Sequence, residues 1–199
     1  GFNPDFTCRE DMRFAREERW GGVLQAQLGA GWNVLEEGLG GRTTTLEDPA
    51  APGRSGLSLL APLVQSHQPM GLLVFLLGTN DMKNTYRASE ADIRRGMELL
   101  IQNALNPYWW DTRRPPKMLL ISPTHIQDTG VHDFIDASSA RKSRNLAAHY
   151  EQLAREYGCG FLDAATVTGP SAREGLHLDR AGHAALGKAA ARVVREMLE

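Results

Sequence analysis

Leu72-Leu73-Val74-Phe75-Leu76-Leu77-Gly78-Thr79-Asn80-Asp81 is the stretch on which the reading of this chain turns. Six apolar residues in a row, without alternation, read as a strand buried on both faces, and so as a central strand. The run ends in Gly-Thr-Asn-Asp. Polar side chains at the C-terminal end of a central parallel strand are where α/β proteins hold ligands. Asn80 there offers a neutral amide donor on rigid backbone, a group suited to stabilising an oxyanion. The plainer reading is a strand end at which Asn and Asp serve only as turn residues.

Outward from this strand, the pattern alternates. Toward the N-terminus, a helix is expected over about 16–28, with Trp20, Val23, Leu24 and Leu28 on one face, then a short strand from Trp32 to Glu36. A helix at about 56–67 leads into the Leu72 strand. Toward the C-terminus, Ser89 caps a helix whose apolar stripe is Ile93, Met97, Leu100, Ile101 and Ala104. Lys117–Ser122 is a second buried strand, stopped by Pro123. The loop 123–135 is long enough to be functional. A helix over about 136–157, a short strand Phe161–Asp163 and a last helix over about 180–198 follow. Strands alternating with helices predict an α/β fold with a parallel sheet covered on both faces. No repeat or linker divides the chain, so residues 1–199 read as a single domain.

Length and composition narrow the function. The chain has 199 residues, with 42% hydrophobic and 23% charged, and is therefore globular. A net charge of −2 gives no electrostatic case for nucleic acid or an anionic membrane. Cys8 and Cys159 form no metal or redox motif and point to a reducing, cytoplasmic compartment, with one disulfide between them left open. No apolar run reaches membrane-spanning length.

The second chemical signal precedes the last helix: Glu174-Gly175-Leu176-His177-Leu178-Asp179-Arg180-Ala181-Gly182-His183. A carboxylate three residues before a histidine can fold back onto Nδ1–H and leave Nε2 as a base. Alone, Glu-x-x-His is more often a solvated acid beside a structural histidine. A third signal is Glu37-Gly38-Leu39-Gly40-Gly41-Arg42-Thr43-Thr44, where three glycines in four positions allow close backbone approach.

In this order, the Gly41-Arg42-Thr43 turn, Gly-Thr-Asn-Asp after the strand, and Gly-Leu-His-Leu…Gly-His before the last helix resemble the SGNH/GDSL hydrolase family. The resemblance extends over nearly the whole chain. Glu36-Glu37-Gly38-Leu39 followed by Arg42-Thr43-Thr44 is similar to the second block of its arylesterase and acyltransferase-like branch. It implies a flavodoxin-like three-layer α/β/α fold and ester hydrolysis through a serine acyl-enzyme. By position it assigns the general base to His177, its orienting acid to Glu174, and the oxyanion donors to the Gly41 N–H and the Asn80 amide. His183 matches a recurrent family position and is expected to cap or pack the last helix. It implies no cofactor and no metal.

Two departures stand out. The family acid is usually Asp, and here it is Glu174, one methylene longer; Asp179 is a fallback, better read as a helix cap. The family's Gly-Asp-Ser block has no counterpart in residues 1–199. Gly1 resembles its last glycine, so the chain is read as lacking the first strand, the nucleophilic serine and one oxyanion N–H. Ser122, before Pro123, and Ser171, in the histidine loop, are poor substitutes.

The expected activity is hydrolysis of small acyl or aryl esters, with acyl transfer to alcohols if Trp109 and Trp110 make a water-poor cleft. The alternatives are a carbohydrate deacetylase, a lipase or thioesterase with the same site, or a catalytically inactive ligand-binding module. The expected partners are a small-molecule ester and, through the aromatic loop, a homo-oligomer, with no nucleic acid and no membrane.

Overall fold

The structure, a computed structural model, describes residues 2–4 and 13–198. Cys8 lies outside them. Three parallel strands form one sheet: β1 (Leu72–Phe75), β2 (Lys117–Ser122) and β3 (Gly160–Asp163), in the order β1-β2-β3. Leu72 pairs with Lys117 and Phe75 with Leu120, while Leu119 pairs with Gly160 and Ser122 with Asp163. Among the described residues five α-helices pack around the sheet: α1 (Trp20–Leu28), α2 (Gly56–Ser66), α3 (Glu90–Ala104), α4 (Ala137–Tyr157) and α5 (Arg180–Leu198).

Helices α2 to α5 begin where local cap chemistry directs. Ser55 accepts from Ser58 N–H ahead of α2, Ser89 and Asp92 form a capping box on α3, and Asp136 accepts from Ser139 N–H on α4. Asp179 accepts from Gly182 N–H at 2.7 Å and so caps α5.

The side-chain alternation of β2 divides the core in two. Met118 and Leu120 pack with Ile93, Met97 and Leu100 of α3 and with Leu146, Tyr150 and Leu153 of α4. Leu119 and Ile121 face the other way, onto Leu24 of α1 and Leu186, Ala190 and Val194 of α5. This is the three-layer α/β/α arrangement of a flavodoxin-like fold.

Four expectations are corrected. Among the described residues the Leu72 strand is at an edge of the sheet, and β2 is the middle strand. Burial follows: Leu72, Leu73 and Val74 are half-buried, whereas Met118–Ser122 are buried. The segment 32–36 joins no ladder among the described residues, and side chains take several of its backbone groups. The Gln25 amide receives Val34 N–H at 2.8 Å and donates to Trp32 C=O at 3.0 Å, and Arg16 donates to Val34 C=O. The expected first helix is broken into a 3₁₀ turn (Arg16–Glu18) and α1, at an extended Arg19 that pairs with Glu36 at 3.0 Å. Finally, Trp109 and Trp110 line no cleft at the strand C-termini. Trp110 is buried with its indole N–H on Ala104 C=O, and Trp109 C=O receives Gln68, so both sit by the end of α3 and the approach to β1. Apolar burial there outweighed exposure for both tryptophans, and of the aromatics in that loop only Tyr108 is widely exposed.

Candidate active site

Asn80 and Asp81 follow β1 in a 3₁₀ turn (Asn80–Met82), and each side chain reaches the glycine-rich turn before α2. Asn80 donates one amide hydrogen to Arg42 C=O at 3.0 Å. Its second amide hydrogen has no partner among the described residues. Gly41 adopts φ 81°, a conformation that favours glycine, and its N–H likewise makes no hydrogen bond among the described residues. Two uncommitted donors therefore stand on adjacent, mutually tied segments.

Asp81 is the anchor of that pairing. Its buried carboxylate accepts from Thr44 N–H at 2.9 and 3.1 Å and from Thr44 Oγ1 at 2.5 Å. Burial pushes the Asp81 carboxyl up and the Thr44 bonds oppose the shift.

Glu174 and His177 lie on the turn leading to α5. Glu174 Oε2 sits 2.7 Å from His177 Nδ1, and the glutamate side chain is fully buried. The same Oε2 sits 2.7 Å from Nε2 of His132 in the 123–135 loop. Oε1 accepts from Leu176 N–H at 3.0 Å and from His177 N–H. Burial raises the Glu174 pKa, but the bonds from His177 and His132 outweigh it and hold the carboxyl down to about 2. An ionised carboxylate only accepts, so both imidazole nitrogens on Oε2 carry hydrogens. The His177 tautomer is thereby set, with Nε2 left as a base. The Phe2 ring packs against this imidazole, centroids 4.5 Å apart.

The loop 123–135 joins the two halves. Asn84, just past the Asn80 turn, donates its N–H to Phe134 C=O at 3.0 Å and its amide to Asp133 C=O. Lys83 lies over the Phe134 ring, and that ring packs on His132. At the other end Gln127 N–H meets Gly175 C=O at 2.8 Å. His132 was missed in the sequence. It stands 42 residues from Glu174, and the only signal was the length of its loop.

His132, Glu174 and His177 present donor atoms within 4.8 Å of one another, as metal ligands do. Their 2.7 Å contacts are closer than the roughly 3.3 Å between ligands on a tetrahedral ion with bonds of about 2.0–2.1 Å, and are those of hydrogen bonds. Neither alternative serine is suited to attack. Ser122 is fully buried in the sheet with its hydroxyl unpartnered among the described residues, and the Ser171 hydroxyl accepts from Arg173 N–H within its turn. His183 does cap a helix, but a different one: its Nδ1 accepts Trp20 N–H, the start of α1, at 3.2 Å.

A parallel sheet with a carboxylate-held histidine and amide donors beyond its strand ends is an arrangement that fits a hydrolase of three-layer α/β/α architecture. The chain belongs to the GDSL-like lipase/acylhydrolase family, whose model matches residues 5–185. Three solved structures are similar over almost their full length. The native aryl esterase of M. smegmatis is 35% identical, with a TM-score of 0.92, covering 100% of this chain and 94% of that one. Est24, a carbohydrate acetylesterase from Sinorhizobium meliloti, is 29% identical, with a TM-score of 0.90 and coverage of 99% and 94%. A carbohydrate acetylesterase family member from the same organism is 34% identical, with a TM-score of 0.90 and coverage of 100% and 93%. A comparison with curated proteins finds no match. No helix among the described residues is long and apolar enough to cross a membrane.

Proposed function

We propose that residues 1–199 belong to one SGNH-type domain, and supply its base, acid and oxyanion donors, in a protein that hydrolyses small acyl or aryl esters through a serine acyl-enzyme. The observation that carries this reading is the 2.7 Å contact between buried Glu174 and His177 Nδ1, which leaves Nε2 available as a base. The aryl esterase and carbohydrate acetylesterases to which the chain is similar support the substrate class.

The nucleophile this mechanism requires is the serine of the family's Gly-Asp-Ser block, for which residues 1–199 hold no counterpart. Phe2, which in the family resemblance follows the block's last glycine, packs on His177, as expected if that block approaches the base. His177 Nε2 takes the serine proton as the hydroxyl attacks the ester carbonyl, then delivers it to the leaving alcohol. Glu174 holds the imidazolium that forms. Gly41 N–H and the second amide hydrogen of Asn80 receive the oxyanion. Water then cleaves the acyl-enzyme by the same route. No step calls for a metal or an organic cofactor. The deacetylase, lipase and binding-module alternatives are not favoured.

The test is p-nitrophenyl acetate hydrolysis by the full-length protein, with a covalent serine probe. His177→Ala is expected to abolish turnover, and Glu174→Gln to lower kcat by roughly 10²-fold or more. The probe is expected to map to the Gly-Asp-Ser block. Labelling at Ser122 or Ser171, or full activity in His177→Ala, overturns the mechanism.

A further inference from the structure

Glu174 departs from the usual aspartate by one methylene, and the extra bond adds a rotation that a catalytic carboxylate must not keep. The loop 123–135 removes it by gripping the Glu174–Gly175 turn at three points. Thr129 Oγ1 donates to Glu174 C=O at 3.1 Å. Gln127 N–H donates to Gly175 C=O at 2.8 Å. His132 Nε2–H donates to the carboxylate itself at 2.7 Å, on the oxygen that holds His177.

We infer that His132 is a positioning residue of the esterase, which fixes the Glu174 carboxylate against His177 by donating to the shared oxygen. The inference rests on the proposed role of His177 and extends it to a residue that the Ser-His-acid scheme does not contain. Among the described residues the Glu174 carboxylate receives four hydrogen bonds, from Leu176 N–H, His177 N–H and the two imidazoles, and His132 supplies the only one from outside its own turn. Without it, Oε2 is held by His177 alone, so the acid and the base it orients can swing together. His132 is in turn seated by Phe134, whose carbonyl holds Asn84 beyond the Asn80 turn. The donor thus ties the Glu174–His177 half of the site to the Asn80 half. The two rings meet edge to face with centroids 6.1 Å apart, so His132 reaches the carboxylate without blocking Nε2 of His177.

The experiment separates the N–H donor from the bulk of the ring. His132→Phe keeps a ring and loses the donor. His132→Gln keeps an amide N–H at similar reach. In the full-length protein with p-nitrophenyl acetate, His132→Phe is expected to lower kcat about tenfold with KM within about twofold, and His132→Gln to recover most of the loss. Wild-type kcat in His132→Phe, or equal losses in both variants, overturns the inference.

A second readout needs no variant and no turnover. Proton NMR of the wild-type protein should show two low-field imidazole N–H signals, His132 Nε2–H and His177 Nδ1–H, in ¹⁵N-histidine-labelled material. Absence of the His132 signal overturns the inference even if the variants fail to fold. A His177→Ala enzyme that retains activity would instead sink the reading of His177 as base, and the His132 signal is scored independently of that result.

Discussion

Thr44 gives Asp81 both its backbone N–H and its hydroxyl, so one buried carboxylate clamps the glycine-rich turn to the end of β1. Asn80, one residue earlier, makes the neighbouring tie to Arg42 C=O. The spacing between the proposed oxyanion donors is therefore set by two adjacent side chains. Asp81→Asn turns an amide N–H toward groups that are themselves donors, and bonds to a charged acceptor contribute about 1.5–3 kcal/mol each. A loss of about 3 kcal/mol is expected from urea unfolding, with kcat reduced as well. An Asp81→Asn protein of wild-type stability would show that the clamp contributes nothing.

Asn80→Ala removes a donor from the proposed oxyanion hole and frees the Arg42 carbonyl. The expected result is a fall in kcat of roughly 10²–10³ with a small change in KM, because the bond forms in the transition state. Steady-state kinetics on p-nitrophenyl acetate reads both numbers. A change confined to KM would place Asn80 in ground-state binding only.

Gly175 has φ 74°, and a Cβ there would stand 2.1 Å from the Gln127 carbonyl oxygen. Both the backbone conformation and the space exclude a side chain. Gly175→Ala must push the 123–135 loop off the turn that carries Glu174 and His177. A destabilisation of about 3 kcal/mol or more is expected by chemical denaturation, with activity falling beyond what the folded fraction explains.

His183 carries a pH dependence of stability rather than of chemistry. Burial, the largest cause, lowers its pKa from 6.5 to about 4, and its neutral Nδ1 holds Trp20 N–H. Below about pH 6.5 the unfolded chain gains a proton that the folded chain refuses until about pH 4. Stability from this group is thus full above pH 6.5 and lost as pH falls to 4, by up to about 3 kcal/mol. The Glu174 contribution is lost lower, between pH 4.5 and about 2, because its folded pKa is depressed. Urea unfolding between pH 7 and 4 should show the first loss in the wild type and a shallower slope in His183→Gln.

Much of this was legible along the chain. Strand β2 begins and ends where Lys117–Ser122 was read, and α2 to α5 start within about a residue of their Ser or Asp caps, since caps and apolar periodicity are local properties. The Glu174–His177 contact was legible for the same reason, as three residues bring the groups together within one turn. Strand pairing was not: 32–36 has the composition of a strand but found its partners in Gln25 and Arg16. The placement of Trp110 in the core was equally unreadable.

The sequence by itself determined the parallel α/β architecture, the caps and the short-range pairing of acid and base, because each depends on residues within a few positions of one another. Only the tertiary structure decided that His132 shares the Glu174 carboxylate, that Asp81 clamps Thr44, and that His183 caps α1 across 163 residues. Those contacts join segments that periodicity cannot align. They exist because packing brings buried polar groups together, and a buried donor or acceptor must find a partner wherever the fold places one.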